Sequence, residues 1–294
     1  MNQPDIQLVR AFNRTVTQRL GVLNERYLGR DRPYVESRLL FEIGARGATI
    51  RELRERLGMD SGFLSRLLRA LERKGLATTR PHAADGRVKI VSLSRAGVSE
   101  LRRINMQSDA LARSMLSPLG GEQAGRLVKA MVEVERLLRA SSIEIAREDP
   151  ASADAERCLD RYFAEIDARF AGGFDRARGG AAEIQDFVPP RGCLLLARLH
   201  GQPVGCGALR TFGPRVAEIK RMWISPEVRG LGVGRRLLAE LERAGRRRRM
   251  RAIRLDTNES LAEALNLYRS AGYREIGRFN DNPYAHHWFE KILD

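Results

Sequence analysis

Glu218-Ile-Lys-Arg-Met-Trp-Ile-Ser-Pro-Glu-Val-Arg-Gly-Leu-Gly-Val-Gly-Arg-Arg-Leu-Leu238 reads as a strand, a glycine-rich turn and the start of a helix. The turn runs through Arg229, Gly230, Leu231, Gly232, Val233, Gly234 and Arg235 and fits R-x-x-G-x-G. Glycine lets the backbone take positive φ and come close to a ligand. The first N–H groups of the helix that follows have no partner within it and face the turn, which suits a pyrophosphate. The dinucleotide pattern G-x-G-x-x-G is not completed in either register, because Arg235 or Leu237 falls where the third glycine belongs. No Gly-Lys-Ser/Thr follows, so the Walker pattern is absent too.

A second segment sits downstream. The strand Ala252–Thr257 leads to Leu261-Ala-Glu-Ala-Leu-Asn-Leu-Tyr268 and then to Arg269-Ser-Ala-Gly-Tyr273. These two segments, in this order, resemble the GNAT superfamily of N-acetyltransferases. That resemblance implies a splayed mixed sheet, with acetyl-CoA entering between its fourth and fifth strands. It implies a donor site of Met222, Trp223, Ile224 and the turn residues Arg229 to Arg235. It also implies that backbone N–H groups near Met222–Ile224 polarise the thioester carbonyl. Tyr268 stands where the family's general acid often lies, near the departing sulfur.

Acetyl transfer to an amine requires that the amine lose a proton, since an alkylammonium pKa is about 10.4. The oxyanion needs a donor and the thiolate a proton. Glu218, a carboxylate on the central strand, is the expected general base. Arg161, Tyr162, Phe174, Arg210, Lys220 and Arg221 are the expected acceptor-site residues. Arg210, Lys220 and Arg221 could hold an acceptor carboxylate. The expected acceptor is a small amine, such as an amino acid or a derivative. The alternative is a module that binds acyl-CoA or another ligand as a sensor without turning it over.

The first half carries different signals. Thr49-Ile-Arg-Glu52 is a capping box that opens a short helix, closed by Gly58. Asp60 caps a second helix from about Ser61 to Lys74, whose apolar side is Leu64, Leu67, Leu68 and Leu71. Its other side offers Ser61, Gly62, Ser65, Arg66 and Arg69. Two alternating strands follow, Leu76–Arg80 and Arg87–Leu93, with a turn-rich tip at Pro81–Gly86. Helix-turn-helix plus basic hairpin resembles the MarR family of regulators, with Asp85-Gly-Arg87 matching its wing motif. By that resemblance Asp85 and Arg87 shape the wing tip, and Arg87 meets the minor groove or a phosphate. The reading is a DNA-binding unit with the small residues and arginines of the second helix at the bases and phosphates.

Helical patterns at about 4–28, 98–115 and 121–147 flank this unit. The resemblance implies that they form a homodimer, which would read a palindromic operator in double-stranded DNA. Intrachain packing is the competing account of their apolar faces. Glu148–Ala155, with Pro150 and small polar residues, looks like the seam between domains. The expected architecture is therefore multidomain. Residues 1–147 form a mostly α winged helix-turn-helix domain for DNA binding and dimerisation. Residues 152–294 form an α/β GNAT domain.

Composition fits two partners. The chain has 294 residues and a net charge of +15, enough length for two domains. Residues 1–150 hold 27 Lys and Arg against 18 Asp and Glu, and the rest hold 25 against 19. The basic excess favours an anionic partner. No apolar run approaches the roughly 18 residues of a membrane span, and the N-terminus lacks a signal-peptide layout. Cys158, Cys193 and Cys206 show no metal spacing and no paired framework, so no metal is expected and a cytoplasmic setting is.

Overall fold

Asn2 and Asp5 close a reciprocal capping box in the computed structural model, and helix α1 (Gln3–Leu20) follows, stopped by Gly21 at φ 66°. The structure describes residues 2–83, 86–176, 178 and 183–293. Contacts divide the chain into two units, residues 1–131 and 132–294.

In the first unit, α2 (Tyr34–Ile43) precedes the short strand β1 (Ala48–Thr49). The expected capping box then opens α3 (Ile50–Leu57): Thr49 N donates to Glu52 at 2.8 Å and Glu52 N donates to Thr49 at 3.1 Å. Asp60 accepts from Phe63 N at 2.8 Å and starts α4 (Ser61–Arg73). Strands β2 (Ala77–Pro81) and β3 (Lys89–Leu93) form the hairpin, and β1 joins it in the order β1-β3-β2. Helix α5 (Arg95–Leu116) packs back through Gly97, where a Cβ would stand 1.9 Å from the Leu76 carbonyl oxygen. Leu64, Leu68 and Leu71 meet Leu39, Leu40, Leu53 and Val91 in one core, as the i, i+4, i+7 spacing requires.

Helix α6 (Gly121–Ser141) has no buried side chain, and neither has α1. Val128, Met131, Val132, Leu137 and Leu138 stay 43% to 60% exposed. These apolar side chains of α6 are exposed among the described residues.

The second unit starts earlier than the sequence suggests. Residues 143–147, expected to be helical, belong instead to strand β4 (Ile143–Glu148). Ile143 and Ile145 alternate with Glu144 and Ala146, and the strand pairs antiparallel with β5 (Gly192–Leu199), Ile143 opposite Leu199. Helix α7 (Ala153–Arg169) follows, capped by Ser152. After β6 (Gln202–Gly213) and β7 (Val216–Ile224) come α8 (Val233–Arg247), β8 (Ala252–Thr257), α9 (Ala262–Ser270), β9 (Arg274–Ile276) and β10 (His287–Ile292). The sheet order is β4-β5-β6-β7-β8-β10-β9, and β7–β8 is the parallel pair.

Strand alternation sorts the core into two layers. Leu195, Leu209, Ile219 and Ile253 face α8 through Leu237, Leu238, Leu241 and Ala244. Leu194, Leu196, Cys206 and Ala208 face α7 through Ala155, Cys158 and Leu159. Gly245 lies inside α8, where a Cβ would stand 3.1 Å from Ile253 and 3.2 Å from Leu293. It is a close-packing glycine, and the helix ends at Arg248. No helix among the described residues is long and apolar enough to cross a membrane.

Candidate active site

The sheet opens at its parallel pair. β7 and β8 are in register only at Val216–Ala252, Ala217–Ile253 and Glu218–Arg254. Beyond Glu218 the edge of β7 has no β8 partner among the described residues. A bulge reinforces the divergence: Cys206 faces Trp223 and Ala208 faces Lys220, so β7 carries one extra residue there. Arg221 absorbs it at φ 54°.

The turn after β7 takes the conformation its glycines allow. Gly230 and Gly232 have φ 74° and 73°, a region costly for side-chain-bearing residues. Gly232 is also the N-cap of α8, and no side chain caps that helix. Its first N–H groups are therefore left for a ligand. A cleft of ≈ 370 Å³ lies here, lined by Met222, Trp223, Ile224, Arg229, Gly230, Gly232, Val233, Gly234 and Arg235. Leu231 does not line it and packs beside Val228 and Val233. Leu261, Glu263, Ala264, Leu267 and Tyr268 form the opposite wall, and α7 adds Glu165 and Arg169.

The polar groups of this cleft are already engaged. Arg229 Nη2 bridges both oxygens of Glu165 at 2.5 and 2.6 Å, and its Nε donates to the Ile224 carbonyl at 2.9 Å. Trp223 Nε1 donates to Glu165 at 2.7 Å. Arg169 joins Glu165 at 3.2 Å to Glu263 at 2.9 Å. Burial would raise the Glu165 pKa, but the bonds from Arg229 and Trp223 outweigh it and hold the carboxyl below its usual range.

A second cavity, of ≈ 690 Å³, adjoins the cleft. Tyr162, Ile166, Met222, Leu261, Ala264 and Tyr268 line both. Lys220, Asp256, Asn258 and Asn282 supply polar groups, and Phe163, Phe170, Phe174 and Tyr284 supply an aromatic wall. Burial pushes the phenols of Tyr162 and Tyr268 well above their ordinary value, so both stay protonated at neutral pH. The cleft and the cavity thus meet at one shared wall.

Residues 153–273 match the model of the acetyltransferase (GNAT) family, and residues 30–88 match that of the MarR family. An IAA acetyltransferase of Azospirillum brasilense is 33% identical over 149 residues, 49% of this chain and 91% of that protein. The chain belongs to the GNAT acetyltransferase family. It carries a MarR-family region ahead of that domain, so it is a MarR–GNAT fusion. An uncharacterized N-acetyltransferase of Schizosaccharomyces pombe is 35% identical over 105 residues, 35% of this chain and 64% of that protein. A solved GNAT-family acetyltransferase from Staphylococcus aureus covers 52% of this chain and 99% of its own, with 20% identity and a TM-score of 0.46.

Within the GNAT domain, the expected acceptor residues divide. Tyr162, Phe174, Lys220 and Arg221 line the larger cavity. Arg161 does not: it is exposed, lies over the Trp223 ring and donates to Ser225 Oγ at 2.9 Å. Arg210 also stands outside, bonded to Glu218 at 2.7 Å and to Asp186 at 3.3 Å. Arg221 is sandwiched by Phe163 and Phe187, and burial lowers its pKa.

Glu218 lies at 0% exposure and does not line either cavity. It accepts from Arg210, from Asn280 at 3.0 Å and pairs with Lys220 at 3.0 Å. Glu156, Asp160 and Glu183 line the larger cavity, and so does Asp256, which the sequence did not single out. Its Oδ1 accepts from Lys220 and from Asn280 at 3.1 Å, and its Oδ2 accepts from Asn282. Its position at the C-terminal end of a parallel strand, beside the opening of the sheet, was the available signal. The run Arg246–Arg249 falls at the far end of α8, about 20 Å along the helix from the turn.

In the MarR-family region, Ser61, Gly62, Arg66 and Arg69 are exposed on α4. Ser65 is half-buried, its hydroxyl bonded to the Ser61 carbonyl at 2.7 Å. Arg66 lies over the half-exposed Phe63 ring at 5.8 Å. Arg87 is exposed at the hairpin, while Asp85 lies outside the described residues.

Proposed function

We propose that the protein is bifunctional, an acetyl-CoA-dependent N-acetyltransferase acting on a small amine and a DNA-binding transcriptional regulator. The observation that carries the enzymatic part is the shared wall of the two cavities, with Met222, Tyr162 and Tyr268 between donor and acceptor spaces.

The donor site fits a pyrophosphate-bearing thioester. Gly230 and Gly232 leave the turn without side chains, the uncapped α8 N-terminus offers N–H groups, and the bare edge of β7 can pair with an extended pantetheine arm. Acetyl-CoA would supply the activated acetyl group. Main-chain N–H groups of Met222–Ile224 would polarise its carbonyl. Tyr268 holds a proton on its phenol and delivers it to the departing sulfur. Asp256 replaces Glu218 as the carboxylate that meets the amine. It accepts the amine's proton at Oδ2, where capacity remains beside the Asn282 bond. Glu218 acts as a positioning residue that fixes Lys220 and Asn280.

Thiol release from acetyl-CoA with a panel of small amines tests this reading. Turnover supports it. Tight acetyl-CoA binding with no turnover on any amine would favour the sensor reading.

For the MarR-family region, the exposed face of α4 supports double-stranded DNA as partner. The uncovered apolar faces of α1 and α6 support a homodimer, and a two-fold dimer reads a palindromic operator. Sedimentation of the full chain tests the dimer, and a monomer at micromolar concentration would refute it.

A further inference from the structure

We infer that the acceptor is a primary amine carried on a flat aromatic body, an inference that rests on the acetyltransferase reading. Phe163, Phe170, Phe174 and Tyr284 form a continuous wall of the larger cavity. Phe163 and Phe174 stack at 5.9 Å and 18°, and Phe174 meets Tyr284 at 4.8 Å. Phe170 touches both Phe174 and Tyr284, at 5.8 and 5.9 Å. Among the described residues, Phe170, Phe174 and Tyr284 belong to no buried core cluster of the domain, and each is half-exposed.

These rings are held in place by polar bonds. Phe174 N donates to Asp167 at 2.7 Å. Tyr284 is fixed at three points: its hydroxyl accepts from Asp175 N at 2.9 Å, its carbonyl from Asn258 at 2.7 Å, and its N–H donates to Asn282 at 3.1 Å. The last bonds tie the aromatic wall to Asn258 and Asn282, which flank Asp256. An ammonium at Asp256 thus has a preorganised apolar surface within the same cavity. Half-exposed, fixed rings gain most from a flat partner that stacks on them.

At the Phe163 ring the neighbouring charges are cationic, while Glu156, Asp160 and Glu183 also line the cavity. Arg176 lies 4.1 Å above the Phe163 ring and Arg221 lies 5.6 Å from it. The rim carboxylate Asp160 is engaged by Arg176 at 3.0 Å. A diamine whose far cation lay against the Phe163 ring would meet two guanidinium groups.

The test compares phenylethylamine, n-propylamine and putrescine as acceptors for the full chain, by thiol release from acetyl-CoA. The expected kcat/KM for phenylethylamine is at least about tenfold above either other amine. In Phe170→Ala and Phe174→Ala that ratio falls towards one, chiefly through KM for the aromatic amine. Phe170→Leu serves if an alanine variant does not fold, and the native ratio decides regardless. Equal or better use of n-propylamine or putrescine overturns the inference and leaves the acetyltransferase standing. No release with any of the three, while acetyl-CoA still raises the melting temperature, overturns both.

Discussion

Glu165 and Arg229 are bonded across the donor cleft, with one guanidinium nitrogen spanning both carboxylate oxygens at 2.5 and 2.6 Å. The cation of the glycine turn is therefore neutralised by α7 in the free protein. An anionic donor must share Arg229 with that carboxylate or displace it.

This pair sets a pH dependence. The Glu165 pKa is lowered in the folded state, so its stabilising effect is present above the unfolded carboxyl value of about 4.5 and is lost as pH falls through the folded value. Glu165→Gln should lower stability by about 1 kcal/mol at pH 7, since Arg229 is partly solvated. The gap should shrink below roughly pH 4.5. Urea midpoints of both proteins across pH 7 to 3.5 check this. A gap that grows in acid would contradict it.

Tyr268→Phe removes the proposed acid while keeping the ring in its buried place between Tyr273 and Phe289. Thiol release should slow by roughly 10² in kcat, with donor affinity nearly kept. The raised phenol also means that activity should not fall between pH 8 and 10 through ionisation of this group. Unchanged kcat in the variant would remove Tyr268 from the chemistry.

Glu218→Gln tests a structural lattice. Arg210 and Lys220 would lose their shared counter-charge in a site with 0% exposure at Glu218. Breaking such a buried pair costs about 3–5 kcal/mol. The variant should melt well below the parent, and Glu218→Asp should recover part of the loss. A catalytic base would instead abolish the acid limb of the rate profile with little change in melting.

The sequence carries the donor turn almost completely, because its determinants are local. Gly230 and Gly232 need positive φ, and an uncapped helix follows them directly. Other features depend on partners distant in the chain. Ile143–Glu148 continues the apolar rhythm of α6 closely enough to pass for helix, and only pairing with β5 makes it a strand. That Asp256 lines the larger cavity and Glu218 does not is likewise invisible in either strand alone. It follows from where β7 and β8 part, and from the extra residue at Arg221. Arg161 and Arg210 stand outside the larger cavity for the same reason: Arg161 is held by Ser225 and Glu227, and Arg210 by Glu218 and Asp186, all from other elements.

Arg66→Ala with Arg69→Ala should weaken DNA binding across sequences, and reduce the slope of log K against log salt by about two if both meet phosphates. Loss confined to one base position would instead mark direct readout. Filter binding at several salt concentrations separates the two outcomes. No change in either quantity would move the DNA contact away from α4.

The opening of β7 away from β8 has a consequence for how this domain can vary. The surface it offers is main chain, and every residue type except proline presents the same N–H and C=O groups there. The side chains of Lys220 and Arg221, which line the larger cavity and not the cleft, can therefore differ without altering that main-chain edge. Main chain and side chains of one strand thus answer to separable demands.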